Sequence, residues 1–236
     1  MTIKFAMAAM GLWVMGLLVA PAAMAVELDF NISAPTSGTI SYGGGGGALI
    51  GSNIEVDNVV GLSTPANANV TSVCFSCQLN FTSGALTGAG PANSQNSGWW
   101  RFGSGGSISI TGGVQLQGGT DISLGSTLLS GTFNNAFVQD LGVQGFKVTF
   151  GAFSDTKHAD LLSYYGLTPG TPFQGALTLL FAAPDNGVGS EFTSTSVFSG
   201  NVVNAPSAVP LPAAALLFGS GLIGLAGTLL KKLSLT

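Results

Sequence analysis

Residues 105–125 read GGSISITGGVQLQGGTDISLG. Apolar and polar residues alternate there in three short runs, which is typical of strands with one buried face and one wet face. The glycine pairs Gly112-Gly113 and Gly118-Gly119 separate the runs and accept the positive φ angles of two-residue hairpin turns. We expect a three-stranded meander. A short β-solenoid is the alternative, because the glycine pairs recur every six or seven residues.

Similar alternation recurs on both sides of this stretch. It predicts strands at residues 28–32, 53–57, 79–81 and 146–150, and the apolar run 176–183 fits a central strand. Five consecutive glycines, Gly43–Gly47, predict a flexible loop or a wide bulge, because no packed strand interior favours them. The chain is therefore expected to be all-β, as an antiparallel sandwich of jelly-roll type.

One short helix is predicted after residue 154. Asp155 is a suitable N-cap, Leu161, Leu162 and Tyr165 form an apolar stripe, and Gly166 suits the C′ position. We expect this helix to lie across one end of the strands as a plug.

The composition limits the possible functions. Of 236 residues, 36 are glycine and only 16 are charged. Between the two terminal segments, Arg101, Lys147 and Lys157 stand against all ten acidic residues, a net charge of −7. Such a domain has no electrostatic footprint for nucleic acid or anionic lipid, so nucleic-acid binding is excluded.

The N-terminus predicts export. Lys4 precedes an uncharged apolar run, Pro21 ends it, and Ala23 and Ala25 give the small-x-small pattern that signal peptidase accepts. We expect residues 1–25 to be a signal peptide cleaved after Ala25. An uncleaved N-terminal anchor is the alternative.

The C-terminus has three parts in a fixed order. Val209, Pro210, Leu211 and Pro212 form an extended motif, because proline fixes φ and disfavours helix before it. Residues 213–230 carry no charge, and 18 helical residues span roughly 27 Å, barely a bilayer core. Lys231 and Lys232 then act as a membrane stop that stays cytoplasmic.

This order resembles the PEP-CTERM sorting signal of Gram-negative bacteria, in a variant with Val209-Pro210-Leu211-Pro212. The resemblance covers residues 209–236 only. It implies an exosortase that recognises the proline motif and removes the helix, an intermediate anchored in the inner membrane, and export to the cell surface with exopolysaccharide in biofilm-forming organisms. An ordinary uncut tail anchor is the alternative.

The expected domains follow from these segments: a signal peptide (1–25), a β-sandwich ectodomain (26–200), a linker (201–208) and the sorting signal (209–236) with its transmembrane helix (213–230).

The two cysteines, Cys74 and Cys77, are expected to form a local disulfide in an oxidising compartment. A redox role would need a cysteine at a helix N-terminus, and no helix is signalled there. Zinc would need four ligands, and only His158 could join the pair, so we predict no metal centre and no cofactor. A structural calcium ion at a loop is the alternative interpretation of some acidic residues.

No catalytic set is recognisable. The acidic residues are scattered as in solvated turns and strands, and no serine lies in a G-x-S-x-G elbow. A glycoside hydrolase would need one selected pair of carboxylates, and the spacing selects none.

Trp99 and Trp100 are the most informative apolar residues. Adjacent strand residues face opposite sides, so one indole is expected to be buried and the other partly exposed. An exposed indole could stack on a sugar ring. One core residue and one residue covering a sandwich edge is the plainer interpretation.

We therefore expect an exported surface or matrix protein without turnover, which acts by self-association or by contact with exopolysaccharide. A carbohydrate-binding module using Trp99 or Trp100 is the alternative, and a hydrolase is third.

Overall fold

A computed structural model describes residues 25–93, 96–119, 121–143 and 145–207. The signal peptide except Ala25, the motif Val209–Pro212, the helix 213–230 and Lys231 and Lys232 lie outside the described residues. Twelve strands and one helix follow in chain order within them: β1 (Glu27–Ile32), β2 (Thr39–Tyr42), β3 (Ala48–Leu62), β4 (Thr71–Asn93), β5 (Asn96–Phe102), β6 (Gly106–Gln115), β7 (Ile122–Phe133), β8 (Ala136–Gly142), β9 (Gly145–Lys157), α1 (Ala159–Tyr164), β10 (Phe173–Ala182), β11 (Phe192–Thr193) and β12 (Ser196–Pro206).

The all-β prediction is confirmed. All twelve strands belong to one antiparallel sheet, in the order β11-β2-β3-β1-β12-β10-β9-β7-β6-β4-β5-β8. Eight of them form a closed circuit of hydrogen-bonded neighbours, β1-β3-β4-β6-β7-β9-β10-β12, because β12 pairs with β1. The interior of this circuit is the hydrophobic core.

The circuit splits along the two long strands β4 and β9. One half of each pairs with the β6–β7 hairpin, and the other half pairs with β5 and β8. Gly84 lies at the split in β4, where a Cβ would meet the backbone of Gly103 and Ser104. Gly151 lies at the split in β9, where the amide of Gly151 donates to the carbonyl of Asn135 at 3.2 Å. Glycine thus lets the connecting turns approach the backbone closely.

The core is rich in aromatic side chains. Trp100, Phe146 and Phe192 pack with ring centroids 5.7 to 5.9 Å apart, mostly in tilted or edge-to-face arrangements. Phe150 contacts Phe81 and Phe133 at 4.7 and 4.4 Å, both edge to face. Such pairs each add about 0.5–1.5 kcal/mol beyond the burial of apolar area.

The meander of residues 105–125 is only partly confirmed. Gly118 has φ +71° and lies in the turn between β6 and β7, as predicted. Gly112 and Gly113 do not form a turn: β6 continues through them with a change of register against β7. Two strands therefore stand where three were expected. The reason is a bulge, which glycine accommodates as readily as a hairpin.

The predicted helix is present but begins later than expected. Asp155 is not its N-cap, because β9 runs to Lys157 and buries the Asp155 side chain. The N-cap is His158, whose Nδ1 accepts from the amide of Asp160 at 3.3 Å. Gly166, with φ +73°, ends the helix as predicted, and Leu161 and Leu162 are buried.

The predicted linker 201–208 is wrong for residues 201–206. They form the end of β12, which pairs with β1 and β10, and the Asn204 side chain is buried. The polar residues Asn201 and Asn204 suggested a tether, but Val202 and Asn204 share the buried face of β12 and Asn201 lies on the other face. The strand domain runs to Pro206.

The pentaglycine segment is the turn between β2 and β3. Gly44, Gly45 and Gly46 all have positive φ, between +62° and +79°, which side chains rarely adopt. The amide of Gly46 donates to the Tyr42 hydroxyl at 3.2 Å. The prediction of a loop is confirmed. Among the described residues, no helix is long and apolar enough to cross a membrane.

Candidate functional site

The two tryptophans of β5 lie on opposite faces, as the sequence predicts for adjacent strand residues. Trp100 is only 2% exposed and packs in the core against Phe146 and Phe192. Trp99 is half-buried on the outer face. Of the two predicted candidates for glycan contact, the structure therefore retains Trp99 and removes Trp100.

Trp99 lies flat against the outer surface of the sheet. A Cβ on Gly90, its partner on β4, would lie 2.5 Å from the indole atoms, so the ring occupies the space above that glycine. On its other side, Trp99 stacks with Phe137 of β8, with centroids 6.3 Å apart and planes inclined by 21°. The two rings form a shared aromatic surface, which we call the aromatic platform (Trp99 and Phe137).

Two basic side chains adjoin the aromatic platform. The Arg101 guanidinium carbon lies 5.6 Å from the Trp99 ring centroid, within the range of a cation–π contact. Arg101 pairs with Phe137 across the ladder. Trp99 pairs with Gln139, which in turn pairs with Lys147 of β9, so Lys147 lies two strands away in the same row.

The third basic residue of the domain is sequestered. Lys157 pairs with Asp155, and both side chains are fully buried. Burial lowers the pKa of Lys157 to about 8, although the Asp155 carboxylate acts against this shift. Burial also raises the pKa of Asp155 above its ordinary value. Between residues 26 and 207, the two basic side chains on the outer face are therefore Arg101 and Lys147, and both lie on the surface around Trp99.

Five acidic side chains accept hydrogen bonds, four from backbone amides and one from a serine hydroxyl. The acceptor and donor pairs are Asp57 and the Ser33 amide (2.7 Å), Asp121 and the Leu116 amide (3.1 Å), Asp140 and the Gly142 amide (2.8 Å), Asp185 and the Gly187 amide (3.0 Å), and Glu55 and the Ser37 hydroxyl (3.3 Å). These bonds fix turns and strand ends. This agrees with the interpretation of the carboxylates as turn and strand residues.

A shallow cleft lies between the pentaglycine turn and the segment before β11. Tyr42, Gly43, Asn186 and Glu191 are among its lining residues. Among the described residues that line it, Glu191 is the one acidic side chain, so the predicted absence of a selected carboxylate pair is not tested further by this cleft. Within the described ranges, no three side chains of His, Cys, Asp or Glu come together as metal ligands would.

The cysteines are close enough to form the predicted local bridge. Cys74 and Cys77 are disulfide-bonded across a bulge in β4, with Cα atoms 5.5 Å apart. Ser76, between them, has φ +49°. A β-strand, not a helix, carries the bridge, so the helix N-terminus that lowers the thiol pKa in redox motifs is missing from this segment.

No family model, curated protein or solved structure matches this chain.

Sequence reasoning found Trp99 but missed Phe137, Arg101, Gln139 and Lys147 as its neighbours. The alternation in residues 136–140 marks a strand with Phe137 and Gln139 on one face. Which strand it joins, and in which register, depends on long-range pairing that a single sequence does not specify.

Proposed function

We propose that this chain is an exported surface or matrix protein of a Gram-negative bacterium, processed by signal peptidase and an exosortase. The observation that carries the proposal is the ordered C-terminal combination of Val209–Pro212, an uncharged stretch of 18 residues and the pair Lys231 and Lys232. Each part alone is common, but together the three parts resemble a signal that inserts the C-terminus into the membrane and marks it for proteolytic cleavage. An intermediate anchored in the inner membrane precedes release or surface attachment.

We propose that the strand domain acts by adhesion, through exopolysaccharide or through other copies of itself, and not by turnover. We take its architecture to be a jelly-roll-like antiparallel sandwich around the hydrophobic core. Four of the ten acidic side chains accept hydrogen bonds from backbone amides, which supports a structural role for them in a binding protein.

Fractionation of the producing cells with intact-mass measurement tests the processing. We expect the surface or medium fraction to contain a chain that has lost residues 1–25 and the tail from near Pro212 onward. A Pro210→Ala, Pro212→Ala double variant should accumulate in the inner membrane with its tail intact, whereas the control Pro169→Ala should be processed normally. A wild-type protein that keeps its full C-terminus in an exosortase-competent host would contradict the proposal.

A second candidate is a discrete carbohydrate-binding module, favoured by the half-buried Trp99 beside Phe137 on the outer face. A flat aromatic surface binds sugar rings because their apolar faces stack on it with little loss of side-chain entropy. Glycan-array binding that disappears in Trp99→Ala would favour this candidate. If the protein binds none of the polysaccharides tested, including those of the producing organism, this candidate is contradicted.

A further inference from the structure

We infer that the outer face around Trp99 binds a polysaccharide that carries carboxylate groups. This inference rests on the proposed contact with exopolysaccharide and specifies its chemical class. The face consists of the aromatic platform together with Arg101, Gln139 and Lys147, on the neighbouring strands β5, β8 and β9.

The aromatic platform supplies the stacking surface. The ring planes of Trp99 and Phe137 are inclined by only 21°, so the two rings lie nearly parallel on neighbouring strands. Gly88 and Gly90 of β4 leave room for the indole to lie on the sheet, and a Cβ on Gly90 would displace it. Paired strands hold the aromatic side chains in place, so a sugar ring would stack on the half-exposed side that faces away from the sheet.

The placement of charge specifies an anionic partner. The domain has a net charge of −7, yet both of its accessible basic side chains, Arg101 and Lys147, lie on this one face. The acid of β8, Asp140, points inward and is 4% exposed, so it does not neutralise them. A neutral polysaccharide would gain nothing from this concentration of cations, whereas an acidic one would be attracted here and repelled elsewhere.

The spacing fits a repeating anion. The Arg101 guanidinium lies over the Trp99 ring, and Lys147 lies two strands from Trp99, about 10 Å at the usual strand separation. A guanidinium presents two parallel donors that match a carboxylate, and an ammonium acts as a point charge on a flexible stem. One cation can thus hold a carboxylate next to the stacked ring while the other meets a carboxylate farther along the chain.

The test uses the purified secreted protein with alginate, a polyuronate, and with dextran, a neutral polysaccharide of comparable length. We expect binding to alginate and not to dextran, with an affinity that falls as NaCl is raised. Trp99→Ala should weaken binding about tenfold. Arg101→Gln and Lys147→Gln should each weaken it about threefold.

Two matched controls separate recognition from general effects. Gln115→Glu makes the same change in net charge as Arg101→Gln, but at an exposed position of β6. Phe75→Ala removes an aromatic side chain that is 44% exposed in the other half of β4. Both should bind alginate like the wild type, and thermal melting should confirm that all variants are folded.

Several outcomes would overturn the inference. Equal affinity for alginate and dextran would show a neutral-glycan surface, as would loss of binding in Trp99→Ala but not in Arg101→Gln or Lys147→Gln. Binding to polyphosphate with none to alginate would exclude carboxylate recognition. In these cases the proposed export and processing still stand, because they fail only when the protein is not cut or does not reach the surface.

Discussion

Lys157 and Asp155 form an ion pair in the interior of the protein, with both side chains fully buried. They lie two residues apart on β9, so they point to the same face of the strand. The Lys157 ammonium is also 4.4 Å from the centroid of the Phe173 ring on β10. A charged pair at this depth is stable only while both partners are present.

We expect Asp155→Asn to destabilise the protein by about 3–5 kcal/mol at pH 7, because it leaves the Lys157 ammonium buried without a counter-charge. The double variant Asp155→Leu, Lys157→Met should lose much less stability than Asp155→Asn alone. Chemical denaturation of both variants and the wild type measures this. If Asp155→Asn unfolds at the same denaturant concentration as the wild type, the Asp155 carboxylate does not stabilise the buried Lys157 ammonium.

The same pair predicts a pH dependence of stability. The pKa of Lys157 is about 8 in the folded protein and near 10.5 in the unfolded chain, so between these values the unfolded chain holds the proton and the folded protein releases it. Raising the pH from 8 to 10 should therefore stabilise the fold, by roughly 2 kcal/mol for an isolated group. Stability from this residue is lost as the pH falls through 8.

Unfolding curves between pH 8 and 10 measure the effect. Lys157→Met should abolish the rise in stability, and Lys147→Met, a change in the other lysine of β9, should preserve it. A wild-type free energy of unfolding that stays constant or decreases over this range would contradict the prediction.

Local patterns predicted the fold class because alternation is a local property. Leu28, Phe30 and Ile32 alternate with polar residues, and all three are buried in β1. The paired glycines were harder to interpret, since Gly112-Gly113 and Gly118-Gly119 look alike in sequence. One pair forms a bulge within β6 and the other a turn. What distinguishes them is Cys77 of the neighbouring strand, which packs directly on Gly112.

That contact gives a prediction for Gly112→Ala. An added Cβ would lie 2.6 Å from Cys77 Cα and 2.9 Å from its amide nitrogen, and backbone atoms cannot move aside easily. We expect a loss of about 1–3 kcal/mol, as for an overpacked core. The control is Gly43→Ala, where no atom lies within 4 Å of the added Cβ, and its stability should stay within about 0.5 kcal/mol of wild type. Equal melting temperatures for the two variants would refute the steric explanation.

The two tryptophans should differ sharply in their contribution to stability. Trp100→Ala removes a core side chain that is 2% exposed and should destabilise the fold by about 3–5 kcal/mol. Trp99→Ala removes a ring on the outer face and should cost about 1 kcal/mol, mostly its stacking on Phe137. Denaturant titration measures the free energy of unfolding of both variants. The opposite order, or equal losses, would show that the faces of β5 have been misassigned.

The candidate site was less predictable than the fold. Alternation showed that one tryptophan of the pair would face outward, but not which one, because the register of β5 depends on β4 and β8. Lys147 and Trp99 are far apart in sequence, and only the ladder from β5 through β8 to β9 brings them into one row. The buried ion pair was missed as well, because Asp155 also fits a helix N-cap.

The closed circuit of eight strands has a consequence for how copies of this protein could associate. Amyloid-like stacking and donor-strand exchange both need unpaired amide and carbonyl groups along a sheet margin. In β1, β10 and β12 both margins are already occupied. Near β4 and β5, where the circuit divides, Val188 lies against Gly98 and Gly189 faces Ala89. Among the described strands, β11 has one neighbour and residues 122–127 of β7 pair with β6 alone, so these short margins remain for strand addition. Copies that meet at the closed part of the circuit can associate only through side chains, and such contacts are reversible.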